Sequence, residues 1–153
     1  MSMTIPMKEH KMTTAVLAPV AAVRNLSVSI AVRNLDETAA WYRDNLGFEM
    51  VQHREFPEYK TRIAFLEVNN CRIELIEDQR WQPARRPDPP YHTGIQGVSQ
   101  IAFRVEDMNA VIEQVKQRPI TVAWELITVN DLGMKEFFIR DNEGNLLQFI
   151  QTF

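Results

Sequence analysis

Eight short runs along the chain alternate apolar and polar side chains, and two longer stretches carry a helical period. In SQIAFRVED (99–107), Ile101, Phe103 and Val105 alternate with Gln100, Ala102 and Arg104. That is the period-2 signature of a strand with one apolar face. LSVSIAV (26–32), EMVQHREF (49–56), TRIAFLEV (61–68), CRIELIE (71–77), TVAWELITV (121–129), MKEFFIRD (134–141) and NLLQFIQ (145–151) read the same way. Asn69-Asn70 is a turn pair that joins two of these runs as a hairpin.

The pattern repeats. LSVSIAVRNLDETAAWY (26–42) aligns with SQIAFRVEDMNAVIEQV (99–115) at an offset of 73 residues, a strand followed by a helix start in each copy. Asn34 is a good N-cap, and Glu37 three residues later predicts a capping box. That helix runs to about Asn45, where Gly47 supplies the left-handed C-terminal turn. Asp107 caps the second helix, which ends near Gln117 before Pro119. The longer final turn, DNEG, moves the offset to 74, so Glu74 pairs with Gln148. The predicted fold class is α+β: two βαβββ modules, 23–77 and 97–153. A module of this size leaves an open sheet edge and an unburied face, so two must associate.

DQRWQPARRPDPPYHTGIQ (78–96), rich in Pro and Arg, reads as an extended linker. Residues 1–22 read as a tail. TTAVLAPVAAV (13–23) follows KEHK and faintly resembles a signal peptide, but Pro19 interrupts it, and Met12 is a possible internal start. No apolar run approaches the ~20 residues of a membrane helix. A net charge of −3 gives no case for nucleic acid or an anionic membrane as partner. A hydrophobic fraction of 45% supports a sizeable core. The single cysteine, Cys71, excludes an internal disulfide and fits a cytoplasmic location.

The two modules, with WYRDNLGFEM after the first helix and RDNEGNLLQFI at the end, resemble the vicinal oxygen chelate superfamily. That group includes glyoxalase I, methylmalonyl-CoA epimerase, extradiol dioxygenases, and the bleomycin- and fosfomycin-resistance proteins. The resemblance covers 26–153 and speaks for the fold far more than for the chemistry. It implies a curved mixed sheet with helices on one face and a cleft on the other. Val28, Ile30, Val32, Ile101, Phe103 and Val105 then face the helices, while Ser27, Ser29, Ala31, Gln100, Ala102 and Arg104 face the cleft. Arg72 and Ile76 share the cleft side with Glu74, and Leu146 and Ile150 share it with Gln148.

The resemblance also places four metal-ligand positions, at Ser27, Glu74, Gln100 and Gln148. This chain departs from the family there. Zinc, iron and nickel sites want imidazole or thiolate donors, whereas one carboxylate and two amides offer only weak oxygen ligation to a hard cation. No metal or other cofactor is therefore expected. His10 in the tail and His92 in the linker are expected in solvent, His53 can face the cleft, and Cys71 reads as a small packed thiol. Glu74 is either a general base working beside a carbonyl, or half of an ion pair with Arg72 or Arg104. Phe65, Trp124, Phe137 or Phe138, and Arg62 add aromatic and cationic surface, which suits a planar or amphipathic guest. Trp41 and Tyr42 are packing residues on the first helix.

The expected function is the binding of a small organic molecule without metal. The alternative is a lyase, isomerase or epimerase acting on a carbonyl substrate, with Glu74 as base or as ligand of a weakly held divalent ion. A chain kept for protein interaction alone is a third possibility. Open edges and an apolar rim predict a two-fold homodimer, the commonest closed assembly.

Overall fold

The structure, a computed structural model, describes residue 23 and residues 25–153. The tail (1–22), with His10 and Met12, lies outside the described residues. The first module comprises β1 (Val28–Val32), α1 (Leu35–Leu46), β2 (Glu49–Phe56), β3 (Thr61–Val68) and β4 (Cys71–Asp78). The second comprises β5 (Ile101–Arg104), α2 (Met108–Lys116), β6 (Thr121–Val129), β7 (Met134–Arg140) and β8 (Leu146–Thr152). Both sheets have four strands, in the orders β1-β4-β3-β2 and β5-β8-β7-β6. Each opening strand runs parallel to the last strand of its own module. All four remaining pairings are antiparallel. This is the βαβββ plan, twice.

Both helix N-caps are formed. The Asn34 side chain accepts from the Glu37 backbone N–H at 3.1 Å, and Asp107 accepts from Ala110 N–H at 3.0 Å. The reciprocal half of the predicted capping box is absent. Asn34 N–H donates instead to Glu143 of the second module, at 3.2 Å. Glu37 is left to face Arg33 at 3.9 Å. At the C-terminal end Gly47 sits at φ 74°, and its N–H bonds the Arg43 carbonyl. An L side chain is strained there.

One apolar core spans both modules, built from the helix-facing sides of the sheets: Ile30, Val32, Ala64, Leu66, Ile73 and Leu75 on one, Phe137, Ile139, Leu147 and Phe149 on the other. Phe48 and Phe103 join them across the joint, with ring centroids 6.2 Å apart. The joint is also polar. Tyr42 Oη, buried on α1, donates to Asp141 Oδ2 at 2.8 Å. Thr38 Oγ1 donates to Glu143, and Asn142 donates to Thr38 Oγ1.

The linker is not the extended segment that its composition predicts. It closes into a single 3-10 turn at Tyr91–Gly94 and lies against the second module. Arg86 donates to the carbonyls of His92, Ile95 and Gln96, which folds the strap on itself. Arg140, 4% exposed, holds it down through Asp88 and the Arg86 carbonyl. His92, expected in solvent, is buried with its ring 5.4 Å from that of Phe138.

Candidate functional site

The alternation of β1 leaves Ser29 and Ala31 exposed on the face away from the helices, while Ile30 and Val32 are buried. In β5, Ala102 and Arg104 are exposed and Ile101 and Phe103 are half-buried. Because β1 pairs with β4 in register Ser29↔Glu74, those two side chains emerge side by side. Ser29 Oγ donates to Glu74 Oε2 in a short hydrogen bond. The repeat-related register, Ala102↔Gln148, sets Gln148 beneath the approach to β5. There Gln100 Nε2 donates to Gln148 Oε1 at 3.2 Å, and Ser99 Oγ donates to Gln100 Oε1. Gln148 is buried, and its own carboxamide nitrogen bonds no protein group among the described residues.

Next to Ser29 and Gln100 lies a cavity of about 310 Å³, walled by β1 from Val28 to Ala31, by Val98–Ile101 and by Gly144–Leu146; their partners Glu74 and Gln148 do not line it. Ala84 and Arg86 of the linker form its outer wall. Ser29 and Gln100 face it directly. Ser27 does not. It lines a separate hollow beside Phe65 and Arg72, near the turn at Asn69-Asn70.

Several expected roles change. Arg72 does not pair with Glu74. Its guanidinium lies 4.4 Å above the Phe65 ring and bonds Glu67 at 3.2 Å, the residue directly opposite it on β3. Arg104 has no carboxylate within salt-bridge distance among the described residues. Arg62 lies on the helix side of the sheet, held by Asp36 at 2.8 Å, Glu77 at 3.4 Å and Glu55 at 3.6 Å. His53 also turns to that side, because a bulge between Met50 and Gln52 sets it opposite Ala64 and gives Gln52 the Phe65 position. Cys71, expected as packed, is exposed at the start of β4. Phe138, not Phe137, takes the open face. It stacks at 6.2 Å on Trp124, away from the cavity that Ser29 and Gln100 line.

The four inherited ligand positions do not fit a transition-metal centre. The two carboxamides are engaged with each other, the single carboxylate is bonded by a serine, and Ser27 opens onto another hollow. Among the described residues no three His, Cys, Asp or Glu side chains are placed so that they could hold a metal ion. Such a set lacks both the softness and the charge that strip water from such an ion.

The buried pair at the joint titrates abnormally. Burial, then the Asp141 charge and its hydrogen bond, push the Tyr42 phenol well above its ordinary range. Burial also raises the Asp141 carboxyl, against hydrogen bonds from Asn145, Tyr42 and the Glu143 N–H that lower it. Neither group reaches the cavity, so their shifts belong to the joint between the modules.

A family model described as the Glyoxalase/Bleomycin resistance protein/Dioxygenase superfamily matches residues 24–149. The chain belongs to this superfamily. Among its superfamily relatives, human mitochondrial methylmalonyl-CoA epimerase is 27% identical over 132 residues, covering 82% of this chain and 72% of that protein. The lactoylglutathione lyase of Haemophilus influenzae is 28% identical, with coverage of 83% and 91%. The bleomycin resistance protein of Staphylococcus aureus is 28% identical, with coverage of 80% and 92%. The glyoxalase family protein of Enterococcus faecalis superposes with a TM-score of 0.66 at 23% identity, covering 84% of this chain and 95% of that one. That likeness shows the superfamily fold. Among the described residues no helix is long and apolar enough to cross a membrane.

Proposed function

We propose that this superfamily member binds a small organic molecule bearing a carbonyl or amide group, without a metal, in the cavity between β1 and β5. The observation that carries the reading is the pairing of Gln148 with Gln100. Gln148 accepts one N–H of Gln100 and so fixes the Gln100 carboxamide on the cavity wall, where its second N–H has no partner among the described residues. A carbonyl oxygen is the acceptor that such donors lack. Elsewhere on the wall Ser29 Oγ, which donates to Glu74, keeps acceptor capacity for a donor on the guest. A volume of about 310 Å³ suits a compact molecule or one end of a longer one.

The test is isothermal titration with a panel of small ketones, amides and thioesters, with and without chelator. At least one member should bind with one-to-one stoichiometry, unchanged by chelator. Gln100→Leu should weaken it about tenfold, the cost of one hydrogen bond. Elemental analysis should find far less than one equivalent of zinc, nickel, iron or manganese. A stoichiometric metal lost in Glu74→Gln would overturn the metal-free reading.

A second reading, proton transfer beside a carbonyl as in an epimerase, isomerase or lyase, is favoured by one observation. Glu74 is hydrogen-bonded to Ser29, which lines the cavity along with Gln100, whose carboxamide would polarise the carbonyl. A bound panel member that exchanges its α-hydrogen for deuterium, and stops doing so in Glu74→Gln, would establish the enzyme.

A further inference from the structure

The cavity between β1 and β5 does not end at Ala31. A second hollow, of about 460 Å³, shares Ala31, Ala84 and Asn145 with it and continues along β1 towards Arg33. Its outer wall is the linker from Trp81 to Arg85, and its floor is the turn Asn142–Asn145. The two hollows adjoin as one groove, with Ser29 and Gln100 on the wall at one end and Trp81, Arg85 and Arg33 at the other.

We infer that this far end is a binding subsite for a planar, anionic group, such as an aromatic carboxylate or an aryl phosphate. It deepens the function proposed above, because it takes the remote part of a ligand whose carbonyl lies at Gln100. Three features carry the inference. Trp81 is 41% exposed, and its surface lines the groove. An indole left uncovered at a cavity wall offers a stacking face for a planar ring. Arg85 lines the same wall, and no carboxylate lies within 4.0 Å of it among the described residues. Arg33 adds a second cation, paired with Glu37 only at 3.9 Å between exposed side chains. The nearest acid, Glu143, is already bonded by Asn34 N–H and Thr38 Oγ1. The charged residues lining this hollow, Arg33, Arg85 and Glu143, therefore sum to one positive charge, beside an open aromatic face.

The wall can discriminate because it is fixed. Arg86, next to Arg85, ties the strap through three carbonyls and is held in turn by Arg140, while Trp81 N–H bonds the Asp78 carbonyl at 3.0 Å, so the wall is braced at both ends. A preorganised wall gives up little entropy on binding.

The test uses the full chain and three probes: 2-naphthoate, planar and anionic; 2-naphthamide, planar and neutral; and cyclohexanecarboxylate, anionic and not planar. Calorimetry should show one naphthoate per chain, with each of the other two at least ~10-fold weaker, a charged hydrogen bond or a stacking face being lost. Trp81→Leu and Arg85→Gln should each weaken naphthoate about tenfold, and Arg118→Gln, on the helix side, by less than about twofold. Trp81 and Arg85 are exposed, and the half-buried Arg118 side chain bonds only Gln114, one helical turn away, among the described residues, so the variants fold. Equal affinity for naphthoate and naphthamide, or naphthoate binding unmoved by Trp81→Leu, would overturn the subsite. So would no saturable naphthoate binding, even where the carbonyl panel binds and responds to Gln100→Leu; the crevice reading then stands alone. Naphthoate held through Trp81 and Arg85 upholds the subsite, whichever way the carbonyl panel behaves.

Discussion

Replacing Tyr42 with Phe removes one hydroxyl from the joint between the modules and little else. The ring is fully buried, edge-on to Trp41 at 5.2 Å and to Phe48 at 5.7 Å, and phenylalanine keeps both arrangements. What is lost is the 2.8 Å bond to Asp141 Oδ2, which leaves that oxygen only Asn145 Nδ2. A hydrogen bond to a charged group contributes about 1.5–3 kcal/mol, so the expected loss is about 2 kcal/mol. For a chain of this length that lowers Tm by about 4–8 °C. The loss should depend on pH. Burial raises the Asp141 carboxyl, so the folded state binds that proton more tightly than the unfolded chain does. This group's contribution to stability is therefore fullest below the ordinary carboxylate range, and declines as pH rises through the raised value. The Tyr42 bond lowers the Asp141 pKa, so removing it raises that pKa further. The deficit of the variant should thus be small near pH 4 and reach its full size at neutrality. Urea titration at both pH values, with an unchanged m-value, measures it. Adding Asp141→Asn and the double variant isolates the coupling. A loss under ~0.5 kcal/mol at pH 7, or an equal loss at both pH values, would refute the assignment.

Phe103→Ala should cost about 3 kcal/mol, the low end for a buried ring, because Phe103 is half-buried against Phe48 and Phe149; a urea titration showing less than ~1 kcal/mol would invert the facing of β5. Gly47→Ala should cost about 1 kcal/mol, since φ 74° ends α1 there, and an unchanged midpoint would mean the turn tolerates a side chain. A two-fold homodimer is expected from the outer edges of β2 and β6, unpaired among the described residues, and sedimentation showing only monomer at micromolar concentration would sink it.

The strands and helices were legible because each is specified by neighbours in sequence. Alternation, the caps Asn34 and Asp107, and the stop at Gly47 are local signals, and the 73-residue repeat doubles each of them. Register was legible as far as alternation reached: Ser29 and Ala31 do emerge opposite Ile30 and Val32. On β3 it failed for Arg62. Arg62, Ala64 and Leu66 alternate with Ile63, Phe65 and Glu67, and both sets mix apolar with charged residues. Only the carboxylates of Asp36 and Glu77 decide which set meets the helix. The linker was misjudged for a related reason. Proline and arginine usually mean solvated chain, but Arg86 spends its charge on the strap's own carbonyls, and Arg140, 54 residues away, supplies the anchor. The Trp81 and Arg85 wall follows from that anchoring, so its composition was visible and its position was not.

The polar joint has a consequence for how such a chain can be recombined. Three donors on or beside α1, Asn34 N–H, Thr38 Oγ1 and Tyr42 Oη, all end on two acids of the turn 141–144. The two halves look interchangeable as repeats, yet each carries only one side of this lock. A half transplanted from a relative would bring a helix without its acids, or acids without their helix. It would bury a phenol with no acceptor, or leave the Asp141 carboxyl one donor short, at about 1–3 kcal/mol. The helix and the turn thus depend on each other across some 100 residues of intervening chain, and a recombined chain keeps this lock only when both come from the same source.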